Sequence, residues 1–376
     1  MLTAAEVKRL GREAGFAIVR IAPADSFPGF VDAVRERDEK GWLREETKSV
    51  YGPFKDPERY ADAHRSLAEA RSIISLAMPY RIDGVRDRTA PGRPCGTLPR
   101  NEWRDFYGEA ARRRKRFEEM LRERGARCAE APLITVKNAA HRAGTTGFVR
   151  SGLTHAEVYG PWVVLATTIT DLVLEADEPV HMECGTCQRC VSACPTKAIV
   201  KPFVVNPMRC LVDVLASSDW IPREVRPLIG NRINSCDTCK EVCPRALNPL
   251  IVPDDFPDPR KRWTNSPDLI HLLNIGDEEF QEAFADLDWN LAEPRLLKRN
   301  TIVALGNVGD PVALPALEGM LGHEDAMLRA HAAWAVGRIG GRPAIDALKR
   351  ALAQEEDERV EEEIQAALDL MCRTPY

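Results

Sequence analysis

Cys184, Cys187, Cys190 and Cys194, followed by Pro195, spell C-x-x-C-x-x-C-x-x-x-C-P, the spacing by which bacterial ferredoxins hold 4Fe-4S clusters. Three thiolates on one tight loop reach three irons of one cube, and the fourth, carried away by the proline, serves the neighbouring cube. A second run, Cys236, Cys239 and Cys243 with Pro244, is one cysteine short of the same pattern, and Cys210 supplies the missing thiol. The usual exchange then assigns Cys184, Cys187, Cys190 and Cys243 to one cluster, and Cys194, Cys210, Cys236 and Cys239 to the other. The chemistry implied is single-electron transfer through two 4Fe-4S clusters. A pair of structural zinc sites is the alternative, although zinc ribbons need no exchange across a C-P step. Of the eleven cysteines in the chain, Cys95, Cys128 and Cys372 stand outside the pattern and read as small buried hydrophobes.

Other chemistry-bearing groups are sparser. Gly144, Thr145, Thr146 and Gly147 form a small-residue loop between a helix expected over 134–142 and a strand, a place where backbone can approach a ligand closely. No phosphate-cradling lysine loop and no dinucleotide fingerprint occurs. The basic run Arg112 to Arg116 looks suited to a polyanion. Yet Glu118 and Glu119 follow Arg114 and Lys115 by four residues, the spacing of ion pairs on a solvated helix face. Lys plus Arg number 52 against 57 Asp plus Glu, a net charge of -5, so a nucleic acid can be held only by a local patch.

The elements that must position these groups are those of more than one domain, because 376 residues exceed a single ordinary core. Helical period covers 2–14 and the long charged stretch 103–124, whereas 18–22, 72–78 and 162–170 read as strands. The mixture implies an α+β domain over 1–176, followed by the cysteine-rich domain over 177–256. A Pro-, Asp- and Arg-rich linker is expected over Asp254 to Trp263. Beyond it Ala304, Leu305, Gly306, Val308, Gly309 and Leu317 recur as Ala335, Val336, Gly337, Ile339, Gly340 and Leu348, each 31 positions on. A weaker third copy places Ala366 and Leu370 in register. Such helix pairs of HEAT-like type, over 257–376, bury each unit on the next and bind large partners. From Arg295 to Tyr376 ten basic residues face thirteen acidic ones, so contact with phosphates would need a separate face carrying Lys298, Arg299, Arg329, Arg338 or Arg342. No run approaches the length of about 20 apolar residues that spans a bilayer, and a cytoplasmic monomer is expected.

The chain resembles the cobalamin-dependent tRNA epoxyqueuosine reductases. The resemblance rests on Ala70 to Tyr80 (ARSIISLAMPY), Arg104 to Tyr107 (RDFY, where the family has RDYH) and Arg142 to Gly144 (RAG). It continues through the eight cysteines, Arg226 to Arg232 (RPLIGNR) and the repeats that begin with ALGNVGDP at Ala304. It implies a nitroreductase-like cobalamin-binding domain, a two-cluster ferredoxin domain and a repeat domain that helps to hold the tRNA anticodon loop. It implies a reaction as well: removal of the epoxide oxygen of epoxyqueuosine, with electrons passing from a flavodoxin or ferredoxin through the clusters to cobalt. A positioned acid must protonate the leaving oxygen.

Two segments depart from the family. The Asp that serves as its proton donor stands three residues before a proline, and counting back from Pro132 that place is Ala129, with Glu130 one position on. The loop after RAG reads Thr145, Thr146, Gly147, Phe148, Val149, Arg150 and Ser151, in place of L-G-W-I-G-K-N. Glu130 and Tyr107 are therefore the candidate acids, and Gly144, Thr145, Thr146, Gly147, Arg150 and Ser151 the candidate cobalamin contacts. Plain alternatives are an exposed carboxylate for Glu130, a core-packed ring for Tyr107, an ion pair for Arg150 and a purely structural turn for Gly160, Pro161 and Trp162. Two other functions stay open. One is a related corrinoid reductase acting on an organohalide, another epoxide or a corrinoid; the other is a non-enzymatic cobalamin or electron-transfer adaptor.

Overall fold

The computed structural model describes residues 2–82, 84, 86–246, 265–284 and 293–373. The linker expected over Asp254 to Trp263 and the boundary at 256/257 lie outside the described residues. The chain divides into two compact units, and neither is a continuous stretch. One gathers Met1–Asp83, Arg104–Cys210 and Asp237–Asp258, the other Gly84–Trp103, Leu211–Cys236 and Pro259–Tyr376. Cys236 thus ends a segment of the second unit, while the other seven cluster-type cysteines belong to the first.

The first unit opens with helix α1 (Ala4–Glu13), which starts where it does because Thr3 and Glu6 close a reciprocal capping box, and which buries Val7 and Leu10. Strand β1 (Ile18–Pro23) leads to α2 (Pro28–Glu39) and then to β2 (Ser72–Pro79), every residue of which is buried. That explains why ARSIISLAMPY reads as one apolar run instead of an alternation. Helices α3 (Phe106–Arg122) and α4 (Val136–Arg142), the small hairpin β3 (Gly147–Phe148) and β4 (Thr154–His155), and strand β5 (Val163–Thr170) follow. The sheet order is β1-β2-β5, antiparallel throughout, with Ile21 opposite Ile74 and Ile74 opposite Thr168. This is the α+β arrangement expected. On α3 three cations of the basic run are paired locally: Arg112 with Asp105 and Glu109, Arg113 with Glu109, Arg114 with Glu118. Glu118 is itself buried and accepts from Thr168 of β5 at 3.0 Å.

Past β5 come helix α5 (Arg189–Ala193) and a hairpin of β6 (Ile199–Lys201) with β7 (Val204–Val205). In the second unit, helix α6 (Leu211–Ala216) precedes the repeats: α7 (Pro294–Val308), α8 (Leu314–Met320), α9 (Ala326–Ile339), α10 (Gly341–Leu352) and α11 (Glu358–Arg373). The 31-residue spacing has a physical cause here. A Cβ on Gly306 would stand 2.8 Å from the Ala335 backbone, and one on Gly337 would stand 2.7 Å from Ala367 Cβ, so each glycine lets its helix close on the next.

Two expectations about side chains change. Arg299 is fully buried and donates to the carbonyls of Val214, Leu215, Ser217 and Asp219, where it satisfies the end of α6 and is closed to phosphates. Arg329 is occupied as well, by a bidentate pair with Glu355. Cys95 and Cys128 are buried as expected, but Cys372 is exposed.

Candidate metal centre

Within the first unit, Cys184, Cys187, Cys190 and Cys243 line one cavity together with Val149, Arg150, Ser151, Arg189, Cys239 and Pro244. Two cysteines of the second run, Cys239 and Cys243, meet the first three there; the C-P exchange would give Cys243 to this set and Cys239 to the other. Burial and then the neighbouring thiols push the pKa of Cys190 up, and those of Cys184 and Cys187 add to burial at Cys243. The apo site therefore holds thiols that a bound metal must deprotonate. Backbone donors already aim at sulfur: the N–H of Arg150 reaches Cys184 Sγ at 3.3 Å and that of Ala198 reaches Cys194 Sγ at 3.2 Å. Among the described residues no three or more His, Cys, Asp or Glu converge on a single-ion position. Five thiols line this one cavity, more than the four that a single tetrahedral ion takes. The donor set fits a 4Fe-4S cluster.

Of the other set, Cys210 and Cys239 both act electrostatically on Lys137, at the start of α4. Lys137 is exposed, yet protein crowds its amine and, with Lys240 next in effect, holds its pKa below the ordinary value against the pull of the two thiols. Lys240 stands within electrostatic reach of it. Burial works against its charge, but Asp237 at 2.8 Å and Tyr80 outweigh burial and keep its pKa well above normal. Its ammonium donates to the Tyr80 hydroxyl at 3.3 Å. Tyr80 is held protonated chiefly by burial, and Tyr107 stands within electrostatic reach of both.

The candidate acids and cobalamin contacts fall in three places. Tyr107, in the first turn of α3, is 54% exposed, so its ring is not packed in the core. Glu130 is also exposed, while Ala129 beside it is 3% exposed in an apolar cluster with Ile73, Ile134 and Ile169. The loop after RAG is closed by the chain itself: a Cβ on Gly144 would stand 2.1 Å from the Glu178 carbonyl and one on Gly147 would stand 2.3 Å from Met182. Thr145 and Thr146 are buried beneath, their hydroxyls without a partner among the described residues. Arg150 and Ser151 line the cysteine cavity, and Arg150 donates to the Gly185 carbonyl at 2.8 Å instead of pairing with a carboxylate. The turn before β5 is structural, with Trp162 Nε1 donating to the Ala246 carbonyl at 3.3 Å.

Lys137, Lys240, Asp237 and Tyr80 were not singled out by sequence reasoning. Lys240 sits inside the second cysteine run and Tyr80 closes the apolar strand, so each was masked by the pattern around it.

A family model for a 4Fe-4S double cluster binding domain matches residues 183–246, and one for HEAT repeats matches 290–369. Over 92% of this chain and 98% of its own length, the epoxyqueuosine reductase of Lactococcus garvieae is 30% identical. The chain belongs to the epoxyqueuosine reductase family. Two solved family structures agree over 98% of both chains with a TM-score of 0.88: the Bacillus subtilis reductase at 29% identity, with its catalytic aspartate loop swung out of the active site, and a reductase at 28% identity bound to an epoxyqueuosine-modified tRNA-Tyr stem loop. The double-cluster match encloses all eight cysteines of the two sets.

Proposed function

We propose that this chain reduces epoxyqueuosine to queuosine in tRNA, with two electrons and two protons taken up and the epoxide oxygen released as water. The observation that carries this reading is the whole-chain likeness to a reductase solved with its modified stem loop. Cys184, Cys187, Cys190 and Cys243 would hold one 4Fe-4S cluster, and Cys194, Cys210, Cys236 and Cys239 the other. Exposed Val136, Lys137 and Tyr107 would hold cobalamin, in preference to the closed loop Gly144 to Gly147. The clusters would supply single electrons, and the corrinoid would supply the low-potential chemistry needed for the epoxide. The chain's own part is to orient and to protonate. Lys240, kept charged by Asp237, fixes the Tyr80 hydroxyl and sets a positive wall; Tyr107 and Glu130 are the groups placed to give a proton. In this reading 1–176 is the cobalamin-binding domain, 177–256 the cluster domain and 257–376 the repeat domain that holds the tRNA, with a flavodoxin or ferredoxin as electron donor.

The test is anaerobic incubation of the reconstituted protein and a reductant with epoxyqueuosine-containing tRNA, followed by nucleoside analysis. Appearance of queuosine is expected. One observation favours a second reading, a relative acting on another substrate: the place of the family Asp is Ala129, sealed in the apolar cluster. Untouched tRNA from protein with both clusters and cobalamin loaded and reduced decides for that reading.

A further inference from the structure

Between Cys184 and Cys210 the chain carries Arg189, Lys197, Lys201 and Arg209 and not one carboxylate, in a molecule whose net charge is -5. All four cations are exposed. None has an ion-pair partner among the described residues, unlike Arg112, Arg113 and Arg114 of α3, which are neutralised by their own helix. Lys197 donates its ammonium to the Ser192 carbonyl, and Lys201 acts on Glu36 electrostatically without forming an ion pair among the described residues. Apolar groups stand among these charges: Val200 is 41% exposed, Met208 36% and Phe203 51%. Phe203 holds its ring outward at a backbone φ of 66°, a conformation that non-glycine residues seldom adopt. Its N–H donates to the Arg150 carbonyl, and the N–H of Arg150 donates to Cys184 Sγ. The exposed aromatic is thus one residue removed from a thiol of the first cysteine set.

We infer that this face, formed by Lys197, Lys201, Phe203, Met208 and Arg209, docks an acidic one-electron carrier protein whose redox group lies near its own surface. Unpaired cations around an apolar centre match a partner with a carboxylate-rimmed cofactor, steer it by long-range attraction and let it leave after transfer. In each encounter the reduced carrier loses one electron and one oxidised cluster gains it, with no bond made or broken; two encounters supply the two electrons of the reduction. The inference rests on the cluster reading above and adds the surface through which electrons enter.

The probe is reduced flavodoxin, an acidic FMN carrier. Cluster reduction is followed by anaerobic stopped-flow bleaching, and binding of oxidised flavodoxin is measured separately by titration. In the double variant Lys197→Glu/Lys201→Glu both the bimolecular rate and the affinity fall by at least about tenfold at low ionic strength, and the gap narrows as salt rises. Phe203→Ser lowers affinity with a weaker salt dependence. Iron content and reduction by dithionite stay as in wild type, which separates a docking defect from misfolding. Wild-type rates and affinity with flavodoxin in the double variant overturn the inference. So does a loss confined to binding of an RNA stem loop, which would make the face a nucleic-acid contact. If flavodoxin reduces the clusters through this face while the tRNA epoxide stays intact, the surface stands and the substrate assignment falls.

Discussion

At Ala129 the side chain is 3% exposed and the N–H is committed to the Ile169 carbonyl at 3.0 Å. Restoring the family carboxylate there would bury it among Ile73, Ile134 and Ile169 with no partner, and a buried unpaired carboxyl costs about 2 kcal/mol or more and turns neutral. Ala129→Asp should therefore melt several degrees lower without gaining activity; a variant both stable and faster would mean that the loop re-registers to present the new acid. Glu130→Gln should retain iron and cobalamin yet slow single-turnover reduction by roughly a hundredfold to ten-thousandfold, the usual effect of losing a general acid. A wild-type rate would shift the role to Tyr107, tested by Tyr107→Phe. His155 makes a prediction in pH. It is fully buried, with both ring nitrogens unpartnered among the described residues, and burial, helped by Arg245 and Lys240, lowers its pKa from 6.5 to about 4. The unfolded chain binds a proton that the native ring refuses, so stability is fully present above pH 6.5 and falls by up to about 3 kcal/mol as pH drops toward 4. Between those limits the melting midpoint of wild type should fall more steeply than that of His155→Phe, and parallel slopes would remove His155 from the account.

Elements explain what could and could not be read from residues alone. The double-cluster domain was legible because its thiols must sit on short loops, which leaves a fixed local spacing in any fold. The repeats were legible because Gly306 and Gly337 answer to one packing rule at each turn of the array. At the loop Gly144 to Gly147 the sequence shows that something approaches closely, and the structure shows that the chain's own Glu178 and Met182 do. Gly144, at φ 71° and against the Glu178 carbonyl, should not tolerate Gly144→Ala, and a soluble yield near wild type would show that the covering segment can lift. Lys240 and Tyr80 are 160 residues apart, a contact that no local pattern announces. For the second cysteine set, Cys210→Ser should lower iron from about eight to about four per chain while leaving the signal of the first cluster, whose cavity Cys210 does not line; zinc in place of iron in the wild type would end the cluster reading.

On the scale of the molecule, the repeats belong to a unit that also contains Gly84–Trp103 and Leu211–Cys236. Arg226 opens the RPLIGNR segment that leads to Cys236, and its guanidinium, 1% exposed, makes two 2.9 Å bonds to Glu363 of α11. Burial lowers the pKa of Arg226 while Glu363 opposes it. The same segment is tied down by Asn307, which donates to the Arg226 and Gly230 carbonyls, and by Asn234, which donates to Glu102. The last repeat helix therefore sets the backbone that presents one cluster ligand. Glu363→Gln leaves a buried guanidinium without its counter-charge, a loss of about 3–5 kcal/mol. Replacing both partners, Arg226→Met with Glu363→Leu, removes the uncompensated charge along with the pair and should restore much of that stability. The expected order of melting midpoints is wild type, double variant, then Glu363→Gln. Because Cys236 follows on the same segment, Glu363→Gln should also lose iron from the Cys194, Cys210, Cys236 and Cys239 set ahead of the other, seen as one cluster signal weakening in electron paramagnetic resonance. A single variant as stable as wild type, or equal loss of both signals, would show that the repeats do not position this ligand.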